Sequence, residues 1–356
     1  MIAGREFRIG IVGASSLAGK ELSDTLAEST LADCDITLLD DDDAAGQLTV
    51  AGDEVSFIQK IEPESFVGLD FVFFTGDPAT AKKYWKTARL AGASLIDMTG
   101  ALEAEPAVVV RGPWTGLPAA TPENEQTSPN TREPDLTTPA VVSAHPAALM
   151  LLLVANRLHA RRPLRAISAT VFEPASQHGR AAMDELHQQT VSLLSFQTLP
   201  REQFDAQVAF NLLPSLGDAA KVNLAAAKQR IASHCAALSA GVLPRLALQL
   251  VQAPVFHGYV ESLLVELQRP ATTAQVEEAL YGEQVELVNP HSDPPSNLSA
   301  TGQPDVLLQV TADSAGNARS DRFWLWLAAD NLKLAALNAI ACANELRRLR
   351  PHGKVQ

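Results

Sequence analysis

The strongest chemical signal in the sequence is the segment Gly10-Ile-Val-Gly13-Ala-Ser15-Ser16-Leu17-Ala18-Gly19. It follows the apolar run Phe7 to Val12 and opens a helical stretch, Lys20 to Glu28, with Leu22 and Leu26 one turn apart. Glycines in that setting let the backbone turn tightly and approach a pyrophosphate, which the helix N-terminus then holds. A second strand, Ile36 to Leu39, runs into the acidic turn Asp40 to Asp43. A carboxylate there suits the ribose 2′-hydroxyl of NAD, whereas the 2′-phosphate of NADP would meet like charge. NAD is therefore expected over NADP, with Asp40 the ribose-side residue and Asp41 to Asp43 a solvated turn.

The remaining reactive side chains form no familiar constellation. Cys34, Cys235 and Cys342 lie far apart with no CxxC pair, which argues against a disulfide framework and a structural zinc site and for a reducing, cytoplasmic setting. The histidines at 159, 178, 187 and 234 lack metal-ligand spacing, so no metal is expected. Ser15 and Ser16 belong to the glycine loop and not to a GxSxG elbow. No tyrosine has a lysine four positions on. His257, expected two residues from Tyr259 on the same face of a strand, and His145 could serve a His–Tyr or His–His site, but read more simply as partly buried histidines.

These groups need a scaffold, and the composition supplies one. The chain has 356 residues, 46% hydrophobic and 19% charged, enough for two domains with separate cores. Its net charge of −13 disfavours nucleic-acid binding. The longest apolar run, Ala147 to Ala155, is too short to span a membrane, and Met1 to Phe7 does not read as a signal peptide. Strands at Phe71 to Phe74 and Ser94 to Ile96 flank a helix at Ala79 to Leu90, so the first part is α/β, a Rossmann-type doubly wound parallel sheet. Pro113 to Thr138 reads as a loop excursion. Beyond it, strands are expected at Ala166 to Phe172, Gln207 to Leu213, Pro254 to Leu267 and Val306 to Ala312. Helices are expected at Arg180 to Leu194, Ala219 to Ala237 and Asn331 to Leu349. That pattern implies an α+β second domain with a mixed sheet.

Six motifs in order resemble the aspartate-semialdehyde dehydrogenase family over nearly the whole chain. They are the glycine loop, Ser94 to Ala101, Ser176 to Thr190, Ala209 to Pro214, Pro254 to Gly258, and the helix containing Ala329 to Leu332 and Ala335 to Ala339. Val251 to Phe256, together with Gln203 to Asn211, is nearest the family's Usg branch. The resemblance implies a dinucleotide-binding domain at residues 1–140, completed by a C-terminal helix at 331–356, and a dimerisation domain at 141–330. It also implies a homodimer, a small-molecule ligand, and further cofactor contacts at Thr75, Gly76, Ser176, Gly179 and Asn331.

The family reaction, as the resemblance implies it, reduces an acyl phosphate through a cysteine thioester, with a histidine moving the proton and arginines holding the anions. This chain departs at each position. Pro146 or Ala147 stands where the thiol belongs, Tyr259 where the histidine belongs, and Gln252 and Leu102 or Glu103 where arginines belong. No cysteine lies between Cys34 and Cys235, so no small shift in alignment recovers the thiol; Cys235, near the end of the helix expected at Ala219 to Ala237, is the cysteine to weigh as a relocated nucleophile. The expectation is a dinucleotide-binding family member without the family activity; a non-catalytic dimeric scaffold or regulatory protein is the alternative.

Overall fold

The computed structural model describes residues 7–51, 54–116, 133–135, 137–289, 291–313 and 318–349. The expected start at Met1, residues 117–132 of the excursion and the chain beyond Leu349 lie outside the described residues. The chain divides into two compact units, one comprising residues 1–113, 126–144 and 335–356, the other residues 114–125 and 145–334.

In the first unit the chain runs β1 (Arg8–Val12), α1 (Leu17–Ala27), β2 (Asp35–Asp40), β3 (Leu48–Ala51), β4 (Glu54–Phe57), β5 (Gln59–Lys60), β6 (Phe71–Phe74), α2 (Pro78–Leu90), β7 (Ser94–Asp97), β8 (Val109–Arg111) and β9 (Val141–Ser143). Seven of these strands form one sheet in the order β5-β2-β1-β6-β7-β9-β8. Every pairing in it is parallel. Strands covered on both faces read as unbroken apolar runs, as Phe71 to Phe74 does. Alternate side chains sort to two layers: Ile9 and Ile11 pack with Leu22 and Leu26 of α1, while Val12 and Val72 pack with Ala81, Trp85 and Ala88 of α2. The chain leaves β1 for β2 on one side and β6 on the other, so the strand order reverses beside β1. That is the crevice where open α/β sheets bind ligands.

The second unit runs α3 (Pro146–Arg161), β10 (Leu164–Glu173), α4 (Arg180–Leu194), α5 (Leu224–Leu238), β11 (Leu246–Gln252), β12 (Tyr259–Ala271), α6 (Thr273–Leu280), β13 (Val285–Leu287), β14 (Val306–Ala312) and β15 (Ser320–Ala329). Its six-stranded sheet has the order β11-β10-β12-β15-β14-β13 and mixes parallel and antiparallel pairs. Along β12, Tyr259, Glu261, Leu263, Val265 and Leu267 are buried, while Val260, Ser262 and Leu264 between them are not. The less covered face also carries Trp324 and Trp326, 42% and 37% exposed. The apolar helix α3 is buried from Pro146 through Asn156. The last helix, α7 (Asn331–Leu349), places Ala336, Ala339, Ile340, Ala343 and Leu346 in the α1-side core of the first sheet.

Three expected elements differ. Gln207 to Leu213 is turn and loop, with Phe210 at φ +61° and only Leu213 bridging to Gln252. The helix expected from Ala219 starts at Leu224, because the Asn223 side chain accepts the Ala226 N–H and fixes the N-terminus there. The strand expected from Pro254 begins at Tyr259, because Gly258 sits at φ +84°. A Cβ on Gly258 would lie 2.8 Å from the Asn297 carbonyl, so the turn needs glycine.

Candidate functional site

The glycine loop begins where β1 ends. Gly13 has φ +85°, and a Cβ there would collide with the backbone of Gly76, while one on Gly19 would collide with the Gly13 carbonyl. Both glycines therefore permit close packing of the β1–α1 turn against the β6–α2 turn and of α1 against its own loop. Thr75 fastens the crossing, its hydroxyl donating to the carbonyls of Val12 and Gly13 at 3.0 and 3.1 Å. Ser16 caps α1 by accepting the Gly19 N–H at 2.9 Å. The first-turn N–H groups of Leu17 and Ala18 are left without an intrahelical partner, the arrangement that receives phosphate. Asp40, at the end of β2, accepts the Ser15 N–H at 2.7 Å and stands beside the loop. Asp41 to Asp43 are exposed, and Lys60 pairs with Asp42 at 2.7 Å. These residues suit a dinucleotide: glycines where backbone must come close, free amides for a pyrophosphate, and an acid for a ribose.

In the second unit, His145 caps α3 with its ring, Nδ1 accepting the Ala147 N–H at 3.3 Å. Its backbone N–H donates to His234 Nδ1 on α5 at 2.9 Å. Burial pushes the His145 imidazole well below its ordinary range, with the nearby positive charge of Arg230 adding to the effect. At the helix head, Pro146 and Ala147 present a ring and a methyl in buried surroundings. Across from them, edge-on to His145, stands Tyr259, its hydroxyl donating to Glu173 Oε1 at 2.9 Å. Burial and then the Glu173 charge hold that hydroxyl protonated far above its usual range. Glu173 Oε2 lies 3.3 Å from His178 Nε2 but out of hydrogen-bond alignment, and both atoms are left without a hydrogen-bond partner. Gln252 donates to the carbonyls of Glu173 and Ala253. Two residues past Tyr259, Glu261 is wholly buried with neither carboxyl oxygen hydrogen-bonded, and burial drives it strongly toward the neutral acid.

His257 does not share a strand face with Tyr259; it lies in the loop before Gly258. Its Nε2 is 3.0 Å from Asp330 Oδ1 and its Nδ1 is 3.0 Å from Ser176 Oγ. Burial acts to raise the Asp330 carboxyl, but hydrogen bonds from His257 and from the backbone of Gly302 and Lys333 prevail and hold it below its ordinary value. A carboxylate accepts only, so Nε2 carries a hydrogen and Nδ1 faces the serine. Ser, His and Asp stand in the order of an acyl-transfer relay. Ser176 is only 2% exposed, however, and its hydroxyl also reaches Asn331 Oδ1 at 3.1 Å, which accepts the Gly258 N–H as well. The group thus ties three loops together. Gly179, at φ +84°, heads α4 with no side-chain cap.

The structure therefore gathers Gly10 to Gly19, Asp40, Thr75 and Gly76 around one loop, and Ser176, His257 and Asn331 around another. His145 and Tyr259 meet, while Gln252 joins them through Glu173. Leu102 is buried, its N–H bound to Asp97. Glu173, His234, Glu261 and Asp330 belong to these clusters but were not singled out in the sequence. Period-two alternation along β10 and β12 could have flagged the two glutamates as inward-facing charges. Cys235 is buried and its thiol is pushed up by desolvation, which makes it a poor nucleophile. Among the described residues no group of three or more His, Cys, Asp or Glu could hold a metal, and no helix is long and apolar enough to cross a membrane.

A doubly wound unit with a glycine loop and a mixed-sheet unit are what the semialdehyde dehydrogenase family combines, and the chain belongs to that family. Residues 8–127 match its NAD binding domain and residues 156–334 its dimerisation domain. Among relatives, the aspartate-semialdehyde dehydrogenase of Rickettsia bellii is 26% identical, over 96% of this chain and 98% of that protein. A USG-1 protein homologue of Pseudomonas aeruginosa is 28% identical, over 93% and 95%. The latter supports a place on the family's Usg-like branch. The solved structure of a probable aspartate-semialdehyde dehydrogenase from Pseudomonas aeruginosa superposes with a TM-score of 0.80 at 26% identity, covering 97% of this chain and 99% of that one.

Proposed function

We propose that this protein binds a nicotinamide dinucleotide as a homodimer and does not perform the covalent reduction its relatives are named for. The observation that carries this reading is the head of α3. Where the resemblance puts a thiol, Pro146 and Ala147 offer no atom that can form a thioester. Tyr259 cannot replace a histidine as proton shuttle, because its hydroxyl is held protonated and is already donated to Glu173. Gln252 spends its amide on backbone carbonyls, and no guanidinium stands at that position. Purified protein given aspartate semialdehyde, phosphate and either NAD or NADP is expected to show no turnover above buffer. Sustained turnover overturns the proposal.

In this reading residues 1–140 with the C-terminal helix form the dinucleotide domain, with contacts at Gly10, Gly13, Ser15 to Gly19, Asp40, Thr75 and Gly76. Ser176, Gly179 and Asn331 are further proposed contacts. The dinucleotide supplies or takes up a hydride when bound; the loop amides hold its phosphates. Asp40, with exposed Asp41 to Asp43 behind it, favours a free 2′-hydroxyl, so NAD should bind more tightly than NADP. Calorimetric titration tests this, and tighter NADP binding refutes it. Residues 141–330 form the dimer domain. The observation favouring a dimer is the partly exposed apolar face of Phe172, Leu264, Trp324 and Trp326 on adjacent strands. Light scattering should give a dimer that Trp324→Asp converts to monomer.

A further inference from the structure

We propose that a cavity bounded by α3, β10, α5 and the start of β11 is a binding site for a small aliphatic carboxylate. The cavity has a volume of about 260 Å³. At about 30 Å³ for each water-sized group, it accommodates roughly eight or nine heavy atoms. Its walls are aliphatic side chains such as Leu151, Leu152, Ile167 and Leu246. Polar lining is sparse: Cys235, whose desolvated thiol stays neutral, Ser239, and Arg245. Few partners for water and a lining of hydrocarbon favour an apolar occupant.

Arg245 decides the chemistry of the other end of that occupant. It is exposed, and among the described residues it has neither a hydrogen-bond nor an ion-pair partner. In a chain with 41 acidic and 28 basic residues, a guanidinium without an acid partner beside an apolar cavity is set apart. No Asp or Glu lines the cavity. The local charge therefore matches a single anion, and a planar guanidinium suits a carboxylate in a two-point hydrogen bond. An alkyl tail of six to eight carbons, roughly, then fills the interior while its head stays at Arg245. None of these residues is among the proposed dinucleotide contacts, so the site can be titrated without a dinucleotide.

The test is calorimetric titration of the full-length, assembled protein with octanoate and, separately, with octan-1-ol. Octanoate should bind saturably, one per chain. Arg245→Gln should weaken octanoate by about tenfold and leave octan-1-ol unchanged, since only the head-group contact is lost. Ala232→Leu, which extends a helix-compatible side chain into the cavity, should abolish binding of both while the melting temperature stays at the wild-type value. Failure of wild-type protein to bind octanoate overturns the proposal, including the case in which a side chain of a second copy fills the cavity. An unchanged octanoate affinity in Arg245→Gln overturns it too.

Discussion

The glycine loop and the polar layer beneath α3 contrast in where their hydrogen-bonding groups point. In the loop, backbone crowding at Gly13, Gly19 and Gly76 removes side chains, and the Leu17 and Ala18 amides are left for something outside the protein. In the layer, groups of the same chemical richness turn inward: Tyr259 to Glu173, Gln252 to backbone, and the His145 amide to His234. The loop holds donors in reserve, at some expense in stability, whereas the layer directs its donors to its own acceptors. The layer is not fully satisfied: Glu173 Oε2, His178 Nε2 and Gln252 Oε1 have no hydrogen-bond partner, and Glu261 is the extreme, a buried carboxyl with neither oxygen bonded.

Gly13→Val puts a β-branched side chain at φ +85° against Gly76, and dinucleotide affinity should fall by at least about a hundredfold. If calorimetry shows the variant binding like wild type, the loop is structural and the contrast fails. A smaller effect is expected of Glu261→Gln, which removes the buried carboxyl. The folded state holds this carboxyl neutral while the unfolded chain ionises it near pH 4.5, so wild-type stability is lost as pH rises above that value. The glutamine variant has no such slope. Its melting temperature should exceed wild type at about pH 8 and equal it below about pH 4. Identical curves at both would mean the group is solvated. The smallest effect is expected of Tyr259→Phe, about 1–2 kcal/mol of destabilisation by chemical denaturation. In a double-mutant cycle with Glu173→Gln, the coupling should be about 1 kcal/mol, and additive losses would show the layer is not cooperative.

The glycine loop was legible in the sequence because its geometry is local: strand, turn and helix follow one another without a break from Arg8 to Ala27. The polar layer was not. Glu173 and Tyr259 are 86 positions apart, and they meet only because β10 and β12 pair antiparallel with Phe172 opposite Val260. Register of that kind depends on the whole sheet. His257 was misplaced for a nearer reason: Gly258 reads as a routine residue in an apolar run, yet its left-handed backbone ends the loop and starts the strand. Likewise Gln207 to Leu213 has strand-forming composition, but the Gln189 side chain accepts the backbone N–H groups of Val208 and Ala209 that a ladder would have used.

Protein synthesis delivers β1 first and α7 last, yet Ala336, Ile340, Ala343 and Leu346 complete the layer that covers Ile9 and Ile11. Asn338 reaches the Ser143 hydroxyl at 2.7 Å, and Glu345 pairs with Arg111. That side of the first sheet thus leaves the ribosome covered by α1 alone and waits for α7 before its layer is complete. Most of the second unit, by contrast, is one unbroken stretch from residue 145 to 334, joined by residues 114–125 that precede it, so it can settle while the first unit still waits for α7.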